Sequence, residues 1–215
     1  MNRLLIAAGD PSGDLYGSIL IRELRQSAPR LAIDAVGGPL MRKALGRRDA
    51  FLFDLASLGV TGFIEPIRRL PLFLRVLRAL GALLADPQRR PDALVCIDFY
   101  GFNRRLLELA KRSGVPAYYF ISPQVWASRA GRIRQLKRTV ERMLVIFPFE
   151  EPIYRRAGGP VSWVGHPLID IIAAPPERTP PDGRLRLGLL PGSRPSEVQR
   201  HLPVFLGAAS RILRA

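Results

Sequence analysis

The sequence predicts an α/β fold: a parallel sheet covered by helices, followed by the opening βα unit of a second domain. Three observations carry this prediction. Short apolar, β-like runs alternate with amphipathic stretches from the first residues onward. Turns rich in glycine and aspartate recur where those runs end. Near the end of the chain a proline-rich segment interrupts the alternation, and a fresh apolar run restarts it.

Taken in order, RLLIAAG (Arg3 to Gly9) reads as the first strand, closed by a Gly-Asp turn. Leu15 to Ser27 reads as a helix, because Ile19, Leu20 and Leu24 recur at helical spacing. Leu31 to Val36 is the next strand. Pro66 to Leu84 reads as a helix with Pro71 in its first turn, where a missing N–H costs nothing. At about 100° per residue, Phe73, Leu77, Leu80 and Leu84 form one stripe, while Leu72, Val76 and Leu83 fall on a flank towards Arg68 and Arg75. That flank is more apolar surface than a core helix needs. Strands are predicted at Ala93 to Asp98, Pro116 to Ile121, Arg142 to Phe147 and Val161 to Gly165, and Gly101 to Ser113 is a helix with Leu106, Leu107 and Ala110 on one face. Residues 1–172 thus make one domain. Ala173 to Arg184 packs four prolines, a glycine and charges into a stretch neither helix nor central strand accepts, so it is the linker. Leu185 to Leu190 is then a strand, PGSR a turn, and a helix runs from about Pro195 to the end. One strand and one helix cannot bury an apolar face alone. Residues 185–215 are therefore expected to be the start of an incomplete second domain.

Composition narrows the function classes. A hydrophobic fraction of 47% and a charged fraction of 24% exclude disordered and collagen-like chains. Against 18 acidic residues stand 33 Lys and Arg, mostly Arg, for a net charge of +15. Nucleic acid, an anionic membrane surface or a phosphorylated small molecule would each suit that charge, and so would a merely arginine-rich composition without such a partner. The single cysteine, Cys96, lies in the apolar run ALVCID and is expected to be buried and inert, which excludes disulfides and Cys-rich metal sites. No apolar segment reaches the roughly 20 residues of a membrane span, and the N-terminal run is too short for a signal peptide. The chain is expected to be cytoplasmic, with any membrane contact peripheral.

Candidate site residues cluster where strands end, the edge that faces the ligand crevice in open α/β sheets. After the first strand, AAGDPSGDLYG sets Gly9 and Gly13 around Asp10, Ser12 and Asp14; glycines allow a sugar or phosphate to approach, and Ser12 and Asp14 either cap the helix or hold hydroxyls. ALVCIDFYGFN ends on Asp98, followed by Asn103. A carboxylate there serves either as a general base on a sugar hydroxyl or as a helix N-cap. YYFISPQVWASRAGR brings Ser122, Gln124 and Trp126 ahead of a run of arginines that suit phosphate or plain solvent. Glu150, in the first turn after FPF, reads as structural. His166 in WVGHPLID precedes the linker as either a hinge or a catalytic residue, and neither histidine has metal-ligand spacing. At the second domain's entrance, Gly192, Ser193 and Arg194 offer backbone amides and a guanidinium fork suited to a diphosphate, against the alternative of an ordinary capped helix start helped by Ser196 and Glu197. Leu72, Phe73 and Val76 with Arg75 and Arg78 suit a surface dipping into anionic headgroups, against the alternative of a buried helix.

Together AGDPSGD, VGGPLM, GVTGFIE, IDFYGFN, SPQVWA, FPFE, VGHPL and LLPGSR, in this order across almost the whole chain, resemble the lipid-A-disaccharide synthase family. The resemblance implies two facing Rossmann-like domains of the GT-B kind, here the N-terminal one with helices on both faces plus the first βα unit of the other. It implies transfer of 2,3-diacylglucosamine from UDP to 2,3-diacylglucosamine 1-phosphate, with inversion and without metal or other cofactor. Asp98 is then the preferred base and Asp14 the second choice, with Gly192, Ser193 and Arg194 on the departing diphosphate. The implied partners are those two lipid substrates and the anionic cytoplasmic face of the inner membrane, not nucleic acid. Asp10 stands where the family often has Glu, Tyr100 and Gly101 where many members have Pro and Asp, and Ser128 where a second Trp is common. Most of the C-terminal domain is missing, which puts activity of this chain alone in doubt. Another GT-B enzyme, such as a nucleotide-sugar epimerase or a soluble glycosyltransferase, remains an alternative; a basic nucleic-acid-binding protein has only the charge in its favour.

Overall fold

In the computed structural model the described residues are 2–58, 70–125, 131–172, 186–192 and 195–213. They fall in two compact units, Met1–Ile172 and Ala173–Ala215.

The first unit alternates strand and helix: β1 (Arg3–Ala8), α1 (Pro11–Ser27), β2 (Ala32–Gly37), α2 (Pro39–Ala44), β3 (Ala50–Asp54), a 3-10 turn (Ala56–Leu58), α3 (Leu70–Ala85), β4 (Ala93–Ile97), α4 (Tyr100–Arg112), β5 (Ala117–Phe120), α5 (Gly131–Thr139), β6 (Arg142–Val145), α6 (Glu150–Arg156), β7 (Val161–Trp163) and α7 (Leu168–Ile171). Among the described residues the strands form one seven-stranded sheet in the order β3-β2-β1-β4-β5-β6-β7. Every pair is parallel.

A parallel sheet is buried on both faces, so its strands need apolar residues at successive positions rather than alternate ones. β1 shows the division. Leu5 and Ala7 join a core with Val76, Leu80 and Leu84 of α3, Leu106 and Leu107 of α4, Leu136 of α5 and Tyr154 of α6. Leu4, Ile6 and Ala8 join the opposite core with Ile21 of α1 and Met41 of α2. On that second face β4 to β6 are less covered: half-buried Val95, Phe120 and Leu144 border a cavity of about 470 Å³ beside Leu20 and Leu24. Cys96 is fully buried, and burial pushes its thiol far above the ordinary range, as an inert core cysteine requires.

Several elements differ from the sequence reading. α1 begins at Pro11 rather than Leu15, because Asp10 is the N-cap, its carboxylate accepting the Gly13 N–H at 2.6 Å. α2 and β3 were not anticipated. α2 has no local side-chain cap; its amides are held by Asp14, more than twenty positions away in sequence. In α3, Val76 is 1% exposed and part of the core, not of a membrane-facing flank, and Phe73 is half-buried on the same core. Residues 66–69, expected to open this helix, lie outside the described residues.

In the second unit, α8 (Pro195–Ile212) forms where a helix was expected. The expected strand Leu185 to Leu190 does not: residues 186–192 carry no regular structure, and Leu190 is 84% exposed. A lone strand has no neighbour for its backbone hydrogen bonds, so nothing holds it extended. Leu185 itself and the proposed linker, residues 173–184, lie outside the described residues.

Candidate active site at the sheet reversal

From β1 the sheet grows through β2 to β3 on one side, and the chain then returns to the other side of β1 as β4. Ligands of open α/β sheets bind beyond the carboxyl ends of the strands at such a reversal. Ala8 pairs with Ile97, so the segments starting at Gly9 and Asp98 leave the sheet side by side.

The backbone is strained there. Among the described residues the only non-glycine residues with positive φ are Asp98 (φ 42°), Phe99 (φ 45°) and Ile121 (φ 67°), and all three lie just past the ends of β4 and β5. Each such residue costs on the order of 1–3 kcal/mol and persists only where its surroundings over-determine it. The Asp98 carbonyl accepts the Tyr119 hydroxyl at 2.6 Å and Asn103 Nδ2 at 2.8 Å, while its N–H donates to the Phe120 carbonyl at 3.0 Å. Phe99 lays its ring over Gly9 so closely that a Cβ at residue 9 would fall 2.0 Å from a ring carbon. The strained turn therefore has a purpose-built bed.

Its product is a half-buried Asp98 carboxyl. Burial first, then the nearby Asp10 carboxylate, push its pKa up to about 6, partly offset by the Phe99 N–H. Tyr16 on α1 feels the same group: burial and the charges of Asp10 and Asp98 raise its phenol above the ordinary value. The His166 ring stands edge-on to Tyr16 at 6.4 Å and tilted to Phe147 at 5.5 Å. His166 Nδ1 accepts the Leu168 N–H at 3.1 Å, so in the neutral ring the proton sits on Nε2. Phe147 and Phe149, both exposed, stack at 5.4 Å. Asp10, Tyr16, Asp98 and His166 with these rings offer a proton acceptor, donors and an apolar ledge, which suits deprotonating a hydroxyl of a bound sugar. Sequence reading did not single out Tyr16 or the Phe147–Phe149 pair. Tyr16 lies one turn beyond Ser12 on α1, a spacing that becomes a signal only once α1 is known to start at Pro11.

Other expected site residues have scaffolding jobs instead. Asp14 is buried, and its oxygens accept the N–H groups of Gly38, Leu40 and Met41 at 2.8, 3.0 and 2.9 Å; this carboxylate caps α2 and is not the second-choice base. Gly9 makes room for Phe99, and Gly13 for the packing of α1, since a Cβ there would lie 2.9 Å from Asp10 Oδ1 and 3.1 Å from Ala8 Cβ. Asn103 is wholly buried and braces the turn through Asp98 and Ile97 rather than meeting a substrate. Ser122 is buried, its hydroxyl bonded to the Pro123 carbonyl and Tyr154. Glu150 accepts the Phe147 N–H, a structural contact. Ser12 and Gln124 are exposed past the ends of β1 and β5. Gly192 adopts φ 122°, accessible to glycine, but Ser193, Arg194 and Trp126 lie outside the described residues. No group of three or more metal-binding side chains gathers among the described residues.

Comparison with known proteins follows the same lines. A family model described as lipid-A-disaccharide synthetase matches residues 4–215. Lipid-A-disaccharide synthase of Trichlorobacter lovleyi is 42% identical over 96% of this chain, and that of Geobacter sulfurreducens 40% identical over 98%. The chain spans 55% and 56% of those two proteins, about half their length. Among solved structures, Arabidopsis thaliana UGT89C1 complexed with UDP superimposes with a TM-score of 0.51 at 14% identity, over 76% of this chain and 51% of that one. At that identity the likeness concerns the fold, a Rossmann-like sheet of the GT-B kind.

Proposed function

Because the chain belongs to the lipid-A-disaccharide synthetase family, we propose that the protein of which it forms about half transfers 2,3-diacylglucosamine from UDP to the 6-hydroxyl of 2,3-diacylglucosamine 1-phosphate. The acceptor hydroxyl attacks the anomeric carbon as UDP departs, inverting it and forming the β-1,6-linked disaccharide phosphate. Asp98 takes the hydroxyl proton. The observation that supports this most is its carboxyl at the sheet reversal, held by a strained, braced turn and with a pKa raised to about 6, so that at neutral pH it is ionised yet basic enough to accept a proton. Tyr16 and the Nε2–H of His166 orient the sugar. Gly192, Ser193 and Arg194 hold the departing diphosphate, an assignment resting on residue chemistry.

The lipid substrates place the work at an anionic bilayer face. No described helix is long and apolar enough to cross a membrane. Peripheral contact is supported by Leu70 and Leu72, exposed on α3 next to exposed Arg75 and Arg78. The decisive experiment is Asp98→Asn in the full-length enzyme, expected to lower kcat by about 10²-fold or more while the fold is kept. Wild-type turnover in that variant would remove Asp98 from the role.

A further inference from the structure

Behind the strained turn, on the α3–α4 side, lies a second cavity of about 330 Å³ lined by Leu70, Phe73, Leu77, Phe99, Phe102 and Arg105. The rings of Phe73, Phe99 and Phe102 converge on one another, with centroids 5.9, 6.0 and 6.2 Å apart. Phe99 belongs to both sites: it follows the carboxylate of Asp98 and forms a wall of this cavity. Among the described residues Arg105 is the one charged residue of the lining, and no described acidic group pairs with it. An apolar cavity with a cation in its lining, sharing a residue with the proton acceptor's turn, fits an amphiphile whose anionic group lies close to its hydrocarbon.

We propose that this cavity receives one acyl chain of the acceptor and that Phe73, Phe99 and Phe102 set the chain length it accepts. The proposal rests on the transferase reading above. In the acceptor the phosphate on C1 neighbours the acyl-bearing C2, so a chain inserted here brings the phosphate towards Arg105 and leaves the 6-hydroxyl end of the ring free for Asp98. The cavity has room for one chain, not for the several that two substrates carry, so the others must lie elsewhere. Phe99 gives chain occupancy a direct contact with the residue that follows the base.

The test is calorimetric binding of 2,3-diacylglucosamine 1-phosphate to the 215-residue chain, with deacylated glucosamine 1-phosphate as the control. Gly101 also lines the cavity, and a Cβ there meets nothing within 4 Å, so Gly101→Leu is the variant chosen to add bulk at the cavity wall. That variant should weaken the diacyl ligand by about tenfold or more, the worth of roughly two buried methylenes, and leave the deacylated control unchanged. Phe73→Ala should move the preferred acyl length upward. Wild-type affinity in Gly101→Leu at an unchanged melting temperature, or an unchanged length profile in Phe73→Ala, would overturn the proposal. Equal displacement of the acceptor by phosphatidylglycerol would also overturn it, by making the cavity a general membrane-lipid site. Binding is read without turnover, so a failed transferase reading shows in the Asp98→Asn kinetics and a failed cavity shows here.

Discussion

Two carboxylates that each follow the end of a central strand, Asp14 and Asp98, look alike in sequence, and their environments differ. Asp14 is buried with three amide partners, whereas Asp98 is half-buried beside another carboxylate. Asp14→Ala should strand three N–H groups at the start of α2, those of Gly38 and Met41 in buried contacts, and cost about 2–4 kcal/mol, read as a lower melting temperature in this chain. An unchanged melting temperature would mean the cap contributes nothing. Asp98 behaves in the reverse sense. Its folded pKa is raised, so its contribution to stability is fully present below the ordinary carboxylate range and is lost as pH rises through about 6. Asp98→Asn should therefore be no less stable than wild type at neutral pH while losing activity. In the full-length enzyme the acid limb of the kcat profile should have its midpoint near pH 6; a midpoint near 4 would show that another group is the base.

At the scale of elements, α3 carries two surfaces that a helical wheel cannot separate. Val76 is 1% exposed against the sheet and α4, while Leu72, four positions earlier, is 37% exposed. The wheel puts both on one flank, because position on a helix fixes direction but not what packs in that direction. Val76→Ser is expected to cost about 2 kcal/mol or more in thermal or urea unfolding. Leu72→Ser should leave stability nearly untouched and reduce sedimentation with anionic vesicles. Rising salt should release part of the bound protein by screening the arginine–phosphate attraction, leaving a salt-resistant remainder from apolar insertion. Full release by salt would mean the contact is electrostatic alone.

At the scale of the molecule, the first unit has its own sheet and two cores, while the second offers one regular helix among its described residues. One helix does not build a nucleotide pocket. The 215-residue chain should accordingly make no disaccharide from the two lipid substrates, although its first unit should bind the acceptor. Formation of disaccharide and UDP by this chain would place the UDP pocket within these residues.

The sequence by itself determined the strand–helix alternation, the parallel sheet, the buried Cys96, the position of Asp98 at a strand end and the family. These are carried by local apolar runs, turn residues and ordered motifs, which survive reading one segment at a time. Tertiary structure decided the rest. α2 and β3 escaped because the cap of α2 comes from Asp14 and β3 takes its place from pairing with β2, contacts distant in sequence. The expected strand near Leu187 failed for the converse reason, an apolar run with no neighbour to pair with. Gly9, Gly13 and Asn103 read as ligand residues because they sit among ligand residues, yet their work is to seat Phe99, pack α1 and brace the Asp98 turn. Which of two aspartates has its carboxyl raised to about 6 is decided by burial and by neighbours brought together from separate segments, and no local pattern encodes that.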